Sequence, residues 1–524
     1  MNTNFEPSGE WAHELTELKD RRAMVRAMGG PQALDKIRAA GRMNARERIA
    51  VLLDQNTYRE LGSVAGKGHY DKEANFVKLD PSNAIIGTGR IEGRKVALHV
   101  DDYSIRAGSS ESTINDKWIY IERMAHQLRM PLVRLVDSAG GSVKLLMQAG
   151  GSKIPEYPSW PSEELLKTVP VVGVALGACV GMGALKVLSS HFSVMVRDQA
   201  QVMAAGPHVV RQAYGVEVDK NELGGWPVHR KSALVQNEAS DEEDALSQVR
   251  RFLSYLPRSI YELAPVVATD DSPDRVEDWL KDAIPRDRRK IYDPRRILKA
   301  IFDRDSIFEI GRHQGGSVVT ALARLNGIPV GVISNDPKIQ GGAMNNEAAY
   351  KMERHTNLCS LFGLPVVNLV DQPGNQTGLE AEIRGTLLGA VRVGKALHES
   401  HSPWVSIIMR RCFGMAGSLH GPKSGQDLNH RFAWPSARWG SIPIEGGVMA
   451  AHKKEIEEAA DPLAKRKELE DYYLRIGSPF RTAEKFGVAE IIDPRETRAV
   501  LCDWIEDAWT VAKGDHLKRV AAFA

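Results

Sequence analysis

The sequence of 524 residues contains little cysteine and no cysteine pair. Its four cysteines, Cys179, Cys359, Cys412 and Cys502, lie far apart, so they form neither a CxxC zinc motif nor a disulfide framework. The N-terminal segment carries acidic residues and has no apolar stretch, which predicts neither a secretory signal nor a transit peptide. We therefore expect a protein of the reducing cytoplasm.

An excess of charge of one sign is also missing. The chain carries 69 basic and 67 acidic residues, for a net charge of +2. This balance indicates neither nucleic acid nor an anionic membrane as the main partner. With 43% hydrophobic and 26% charged residues, the composition is typical of a globular protein. The length predicts more than one domain.

Several sequence motifs of common enzymes are absent. GTGRIEG at residues 87–93 resembles a dinucleotide fingerprint, but its spacing is GxGxxxG and it leads into a strand rather than a helix. The sequence has no GxxxxGK[ST], HExxH or GxSxG motif, and its histidines and carboxylates show no metal-ligand spacing. We therefore expect no ATP site, no serine hydrolase of the GxSxG type and no metal on this chain.

One long apolar run is present, at residues 169–188, and it has the length of a membrane span. It contains Pro170 and four glycines, so a buried strand, a turn and a helix explain it better. A second copy of this run carries Arg410 and Arg411, which disfavour a membrane span.

That second copy is part of a long internal duplication. MPLVRLVD at residues 130–137 and LPVVNLVD at residues 364–371 are identical at five of eight positions, with a spacing of 234 residues. The same spacing aligns GRIEGRKVALHVDD with ARLNGIPVGVISND, and Lys117 with Lys351. The TVPVVGVALGACVGMG segment matches HSPWVSIIMRRCFGMA at a spacing of 233. The collinear matches predict two domains of common origin, at residues 1–265 and 266–524.

Each copy alternates short apolar runs with helical stretches, which predicts an α/β fold with parallel strand pairing. We expect strands in KVALHVDD, LVRLVD and their second copies, and helices at residues 112–129 and 346–363. Residues 8–54 are predicted to be helical, with Asn44 as an N-cap. The charged, proline-bearing segments at residues 268–279 and 283–296 suit a linker. DEED at residues 241–244 is predicted to be a solvated helix start.

Paired glycine turns are the strongest functional signal. GMGA at residues 181–184 and GMAG at residues 414–417 each follow an apolar strand and are expected to open a helix. Small residues allow a ligand to approach the backbone, and the N–H groups at a helix start are free to donate. Such donors form an oxyanion hole that stabilises an enolate or a developing oxyanion. One such turn could serve packing alone, but two at homologous positions favour function.

These motifs resemble the carboxyltransferase β-subunits of the propionyl-CoA and acetyl-CoA carboxylase family. The resemblance runs from about residue 20 to about residue 510, and it is carried in family order by GRMNARERIAVLLD, LVDSAGG, AAGPHVV, ELGGWPVH, IYDPRRIL, GLPVVNLVDQPG, RRCFGMAG and AWPSARWGSIPIEGGV. It implies a tandem duplication of two crotonase-like domains. It also implies that CO2 moves from N1′ of carboxybiotin to the α-carbon of an acyl-CoA.

The resemblance also implies site residues. The backbone N–H groups of Gly181 and Met182 are similar to the hole for the acyl-CoA thioester. Those of Met415 and Ala416 are similar to the hole for the biotin ureido oxygen. The glycines of the neighbouring turns and loops would contact the two bound molecules: Gly140, Gly141, Gly183, Gly342, Gly374 and Gly414. No side chain need act as the base, because biotin takes the α-proton after releasing CO2.

Partners follow from the same resemblance. The sequence has no Met-Lys-Met biotinylation motif, so biotin would be carried on a partner, with a biotin carboxylase and a biotin carboxyl carrier protein completing the enzyme. Family members form a hexamer, a trimer of dimers, with active sites between subunits. Methionine stands at Met182 and Met415, where the family usually has glycine, and such adaptable side chains favour a larger or unusual acyl group.

Three alternatives stay open on the sequence alone. The first is a decarboxylase that runs the same transfer in reverse, from a malonyl-type CoA to biotin. The second is a non-catalytic paralogue, given the altered turns. The third, a crotonase-type hydratase, is disfavoured because no paired carboxylates are placed to activate water.

Overall fold

A computed structural model of the chain describes residues 6–152, 154, 156–157, 159–287, 289–421 and 428–522. The chain divides into two compact units, Met1–Ile260 and Tyr261–Ala524, called unit 1 and unit 2 below. The boundary predicted between residues 265 and 266 lies close to this division and stays a prediction.

Unit 1 is built on one eight-stranded sheet with the order β1-β4-β5-β6-β7-β8-β10, and β9 pairs with β7. Only the pairs β1–β4 and β4–β5 are antiparallel. Its strands are β1 Arg59–Leu61, β4 Ala84–Ile91, β5 Arg94–Asp101, β6 Leu132–Ser138, β7 Val171–Val180, β8 Phe192–Val196, β9 Gln201–Met203 and β10 Asn237–Ala239, and a separate hairpin has β2 Gly66–Tyr70 and β3 Phe76–Pro81. The central strands are almost wholly buried, as expected for a parallel sheet covered on both faces.

Eleven α-helices belong to the described part of unit 1. They are α1 Ala12–Arg26, α2 Pro31–Ala39, α3 Ala45–Leu52, α4 Asn115–Gln127, α5 Lys144–Ala149, α6 Ser162–Leu166, α7 Met182–Leu188, α8 Pro207–Tyr214, α9 Lys220–Gly224, α10 Trp226–Ser232 and α11 Glu242–Ser254. The predicted N-cap is confirmed, because the Asn44 side chain accepts from the N–H groups of Arg46 and Glu47 within a capping box.

Unit 2 repeats the same sheet. Its strand order is β11-β12-β13-β14-β15-β16-β18, and β17 pairs with β15. Only the pairs β11–β12 and β12–β13 are antiparallel. Its strands are β11 Phe308–Ile310, β12 Val318–Leu325, β13 Ile328–Asn335, β14 Val366–Gln372, β15 Trp404–Phe413, β16 Asn429–Ala433, β17 Arg438–Gly440 and β18 Glu490–Ile491.

The helices of the described part of unit 2 number ten. They are α12 Pro294–Ile301, α13 Asn346–Phe362, α14 Leu379–Ile383, α15 Thr386–Glu399, α16 Gly414–Ser418, α17 Ile444–Ala451, α18 Lys453–Glu457, α19 Pro462–Ile476, α20 Pro479–Ala483 and α21 Thr497–Ala522. Residues 268–279, predicted as part of a linker, lie within unit 2. Asp271 is buried, pairs with Arg275 at 2.7 Å, and accepts through its backbone oxygen from buried Arg498 at 2.9 Å.

The duplication predicted from sequence extends to irregularities of the strands. The register between β6 and β7 shifts between Val136 and Ser138, and that between β14 and β15 shifts between Val370 and Gln372. These positions are separated by the 234 residues found in the sequence. The shared strand order, pairing directions and bulge confirm two copies of one α/β fold.

The apolar run at residues 169–188 forms β7, a turn and α7, as the sequence predicts. In the part of the chain that the structure describes, no helix has the length and apolar character needed to cross a membrane.

A buried ion cluster joins distant segments of unit 1. Arg48 donates to both carboxylate oxygens of Glu242, at 2.7 and 2.9 Å, and to Asp137 at 3.0 Å. All three side chains are nearly inaccessible. The prediction that residues 241–244 form a solvated helix start is therefore wrong for Glu242, although Asp241 does cap α11. The net charge of the local sequence could not indicate a partner 194 residues away.

A second duplicated feature is a buried lysine on the helix before β6 or β14. Burial lowers the pKa of Lys117 to about 8 and that of Lys351 to about 7. The Lys351 ammonium donates to the Gly311 carbonyl at 3.0 Å. A Cβ placed on Gly62 would lie 3.0 Å from the Lys117 side chain, and one placed on Gly311 would lie 3.0 Å from the Lys351 side chain. Both glycines have positive φ.

Replacing Arg48 with Met should lower the free energy of unfolding by about 3–5 kcal/mol, because buried Glu242 would lose both of its hydrogen bonds from Arg48. Calorimetric or urea unfolding measures the change. The matched control is Arg384→Met, which removes the surface pairs of Arg384 with Glu380 and Glu347 and should cost less than about 1 kcal/mol. Equal effects of the two substitutions would contradict the importance of the buried cluster.

Lys351 should make stability depend on pH. Its pKa is about 7 in the folded chain, whereas an unfolded lysine titrates near 10.4, so the unfolded state binds more protons between these values. Stability therefore falls as the pH decreases through this window. Urea unfolding at about pH 7.5 and about pH 9.5 should show a larger gain with pH for the wild type than for Lys351→Met. Parallel pH dependence of the two proteins would refute the assignment.

Candidate active site

The first predicted turn lies where β7 ends. Gly181 has φ 58° and ψ −113°, a backbone conformation that residues with a side chain rarely adopt. It reverses the chain between the buried strand and α7, which begins at Met182. Glycine is therefore required at this position by the backbone itself.

Hydrogen bonds at this turn correct one predicted donor. The Gly181 N–H donates to the Met203 carbonyl at 3.0 Å, so it is not available to a ligand. The Gly181 carbonyl accepts from the Leu185 N–H and closes the first turn of α7. Met182 and Gly183 occupy the first helical positions, where an N–H has no intrahelical acceptor. Of the predicted pair, only Met182 has an N–H without an acceptor among the residues that the structure describes.

The loop after β6 approaches the same turn. Gly140 has φ 86°, and a Cβ placed on it would lie 2.9 Å from the Val180 carbonyl oxygen. A Cβ on Gly183 would lie 3.3 Å from Cβ of Ser138. The structure thus brings Gly140 and Gly183 together at the C-terminal ends of β6 and β7, where α/β folds bind their ligands.

Within this loop, three of the four backbone N–H groups are already used. The N–H of Ala139 donates to Ala107, that of Gly140 to the Ser138 hydroxyl, and that of Ser142 to the Ser110 hydroxyl. The fourth N–H belongs to Gly141, which is exposed and has open space around its Cα. It makes no hydrogen bond within the described residues.

The second turn repeats the first. Gly414 has φ 63°, and α16 carries Met415 and Ala416 in its first turn. A Cβ on Gly414 would lie 3.6 Å from the Ser441 carbonyl oxygen, matching the 3.7 Å between Gly181 and Ala204. Ala416 is buried, whereas the Met415 side chain is half exposed.

The loop after β14 also repeats its counterpart. Gly374 has φ 131°, its N–H donates to the Gln372 side chain at 3.0 Å, and its carbonyl accepts from the Met344 N–H at 3.1 Å. Its Cβ position faces the Phe413 carbonyl oxygen at 4.0 Å, just before the second turn. Gly342 lies behind this loop, with its Cβ position 3.1 Å from the Asp371 carbonyl oxygen. The contact of Gly342 with a bound molecule stays a prediction.

Each bulged strand carries a buried aspartate at its penultimate position, Asp137 in β6 and Asp371 in β14, which the sequence did not assign to the site. In unit 2, Arg410 and Arg411 bind Asp371, at 2.8 and 2.6 Å, and the Tyr292 hydroxyl donates to it at 2.9 Å. Burial raises the pKa of Asp371, but the hydrogen bonds from Arg411 and Arg410 hold it below its ordinary value. Arg411 also donates to the Gly341 carbonyl at 2.6 Å, which secures the turn next to Gly342.

In unit 1 the equivalent Asp137 is neutralised from elsewhere in the chain. Gly177 stands where unit 2 has Arg410, and the guanidinium of Arg42 fills the space beside it. Arg42 and Arg48 both pair with Asp137. The spacing of 234 residues between Asp137 and Asp371 was the sequence signal that marked both aspartates. The same spacing could not identify Arg42 and Arg48 as the partners of Asp137, because they do not align with Arg410 and Arg411.

Side chains near the turns offer poor nucleophiles. Burial raises the pKa of the Cys179 thiol and raises that of Cys412 to about 11, so neither is a thiolate at neutral pH. Across the described ranges, no three His, Cys, Asp or Glu side chains are grouped as metal ligands. What the turns offer is backbone N–H groups at the ends of buried strands, which can stabilise negative charge on a ligand oxygen.

Comparison with known proteins agrees with this arrangement. A model of the carboxyl transferase domain matches residues 36–520. The chain is 31% identical over 487 residues to the propionyl-CoA carboxylase carboxyltransferase subunit of Haloferax mediterranei, covering 92% of this chain and 94% of that protein. It is 29% identical over 486 residues to the methylmalonyl-CoA decarboxylase subunit alpha of Veillonella parvula, covering 92% and 93%.

Among solved structures, the crystal structure of transcarboxylase 12S superimposes with a TM-score of 0.86 at 27% identity, covering 97% of both chains. That protein is a hexamer with methylmalonyl-coenzyme A and methylmalonic acid bound. The expected tandem crotonase-like fold and the resemblance seen in the sequence are thereby confirmed. Because the family model covers most of its length and its fold agrees, the chain belongs to the carboxyl transferase family.

Proposed function

We propose that this chain is the carboxyltransferase subunit of a biotin-dependent acyl-CoA carboxylase, which transfers CO2 from carboxybiotin on a partner protein to the α-carbon of an acyl-CoA. The observation that carries the proposal is the pair of equivalent turns, with Gly181 at φ 58° and Gly414 at φ 63°, each opening a helix. Two oxygen-stabilising turns suit a reaction in which two molecules each develop charge on an oxygen.

In unit 1, the thioester oxygen of the acyl-CoA would accept from the Met182 N–H. The exposed N–H of Gly141 would be the second donor, in place of the Gly181 N–H, which is bonded to Met203. Gly140 and Gly183 keep the backbone of the loop and turn close together. Charge that leaves the α-carbon would then rest on an oxygen held by two backbone dipoles.

In unit 2, the N–H groups of Met415 and Ala416 would bind the ureido oxygen of biotin. The residues fit this group because the first helical N–H groups have no intrahelical acceptor and Gly414 leaves the turn unobstructed. When bound, biotin supplies the carboxyl group and accepts the α-proton. Gly374 supports the turn from the loop after β14, next to the Phe413 carbonyl. Gly342 supports that loop, next to the Asp371 carbonyl.

The partners proposed for this subunit are a biotin carboxylase and a biotin carboxyl carrier protein. We also propose a cytoplasmic homohexamer, a trimer of dimers, with residues 1–265 and 266–524 as its two functional domains. The hexamer of transcarboxylase 12S, whose fold covers 97% of this chain, supports the assembly. Met182 and the half-exposed Met415 support a larger or unusual acyl group.

The reverse direction is the second candidate. The 29% identity to a methylmalonyl-CoA decarboxylase subunit over 92% of the chain favours it specifically. Both directions pass through the same enolate, so the same donors would serve either reaction.

Turnover of malonyl-type substrates tests the proposal. Purified chain is incubated with malonyl-CoA derivatives, including long-chain and aromatic ones, with and without free biotin, and the decarboxylated acyl-CoA is detected by mass spectrometry. Biotin-dependent loss of CO2 is the expected result, and it identifies the acyl group. No reaction across the panel would favour a non-catalytic paralogue, and loss of CO2 without biotin would indicate a different decarboxylase.

Removing a single backbone donor tests the role of the first turn. Met182→Pro deletes the N–H together with the methionine side chain, at the first position of α7, where proline is tolerated. We expect kcat to fall by about 10²–10³-fold, as for other lost oxyanion donors. Met182→Leu keeps the N–H and is the matched control, expected to stay within about threefold of the wild type. Equal activity of the two variants would exclude Met182 as a donor.

A further inference from the structure

A buried network of charged side chains distinguishes unit 1 from unit 2. It consists of His99, Asp101, Glu122, Arg134 and Lys186, all of them nearly inaccessible. At the spacing of the duplication, unit 2 has only neutral side chains in their place: Ile333, Asn335, Thr356, Asn368 and Leu419. Buried charges cost more free energy than apolar residues of similar size, so a network confined to one copy calls for a specific reason.

Lys186 connects α7 to the neighbouring strand β5. Its ammonium lies 3.9 Å from Oδ1 of Asp101, 3.4 Å from Nε2 of His99 and 4.5 Å from the centre of the Trp118 ring. Lys186 is four residues after Met182, so both lie on one short helix. The contacts of the ammonium are therefore made by the same short helix that begins at Met182.

Arg134 holds the other end of the same helix. Its guanidinium donates to the backbone carbonyls of Lys186, at 3.2 Å, and Ser189, at 2.6 Å. Glu122 binds Arg134 with two hydrogen bonds of 2.8 Å, which fix the orientation of the guanidinium. The carbonyls at the end of α7 are thus satisfied by a side chain from β6.

Asp101 extends the connection to the loop that carries Gly141. One oxygen of Asp101 faces Lys186, and the other accepts from the Asp137 N–H at 3.3 Å, at the bulge of β6. β6 ends at Ser138 and leads directly into that loop. The path Lys186–Asp101–Asp137 therefore joins the two elements that carry the Met182 and Gly141 donors.

We propose that Lys186 is a positioning residue that fixes the separation of the Met182 and Gly141 N–H groups in the thioester site. This inference rests on the proposed function of the first turn. The reason for the asymmetry is that the unit 1 turn needs two elements to be held at a set distance, whereas the unit 2 turn has both its proposed donors, Met415 and Ala416, on α16 itself.

Kinetics of two variants test the inference. Lys186→Met removes the ammonium, and the double variant Lys186→Met/Asp101→Asn also removes the charge that would otherwise be left buried. Both should lower kcat for biotin-dependent decarboxylation by about 10- to 100-fold, because small displacements of catalytic groups have effects of this size. KM for the malonyl-type CoA should change by less than about threefold, since ground-state binding does not need the exact donor separation.

The matched control is Lys351→Met, which removes a buried lysine of unit 2 that lies on α13 and donates to the Gly311 carbonyl. We expect its kcat to stay within about twofold of the wild type. Wild-type-like kcat in the double variant would overturn the inference, as would a loss in kcat of the same size in Lys351→Met.

Amide hydrogen exchange provides a readout that does not depend on turnover. In both Lys186 variants, exchange should be faster in peptides covering residues 180–188 and 138–147, and unchanged in residues 411–420. If the wild type shows no turnover, the proposed function fails, and the exchange comparison alone decides the role of Lys186. Unchanged exchange in the unit 1 peptides would overturn it. If Lys186→Met does not fold, the double variant supplies both measurements.

Discussion

Each unit depends on one backbone turn at the end of a long buried strand. Glycine adopts this turn readily. Gly181 and Gly414 have nearly the same φ and release the first N–H groups of the following helix from the sheet. The bulged strand beside it ends in a glycine loop that packs against the carbonyl before the turn. Because the essential groups are backbone atoms, a methionine can follow the glycine in both copies.

The two units share this backbone and differ in the arginines that pair with the buried aspartate beside the turn. Asp371 is paired with two adjacent arginines of β15, whereas Asp137 is paired with Arg42 and Arg48 from the N-terminal segment. Divergence of the two copies has therefore changed the charged partners while leaving the strand bulge and the turn in place. The ionic network around Lys186, found in unit 1 alone, fits the same pattern.

Much of this architecture could be predicted, because a duplicated sequence reports the same strand–turn–helix pattern twice and the strands are continuous apolar runs. The hydrogen bond between Gly181 and Met203 could not, since it depends on where β9 pairs along β7. The same limit applies to Glu242, whose local sequence looks like a solvated helix start. Its burial follows from Arg48, a partner that only the tertiary fold brings near.

The central claim is that a thioester oxygen binds at the turn of unit 1 through backbone donors. A crystal structure of the chain with a non-reactive methylmalonyl-CoA analogue tests it most directly. The account predicts the thioester oxygen at about 3 Å from the backbone nitrogens of Met182 and Gly141. A thioester oxygen held only by side chains, or bound at the turn of unit 2, would contradict it.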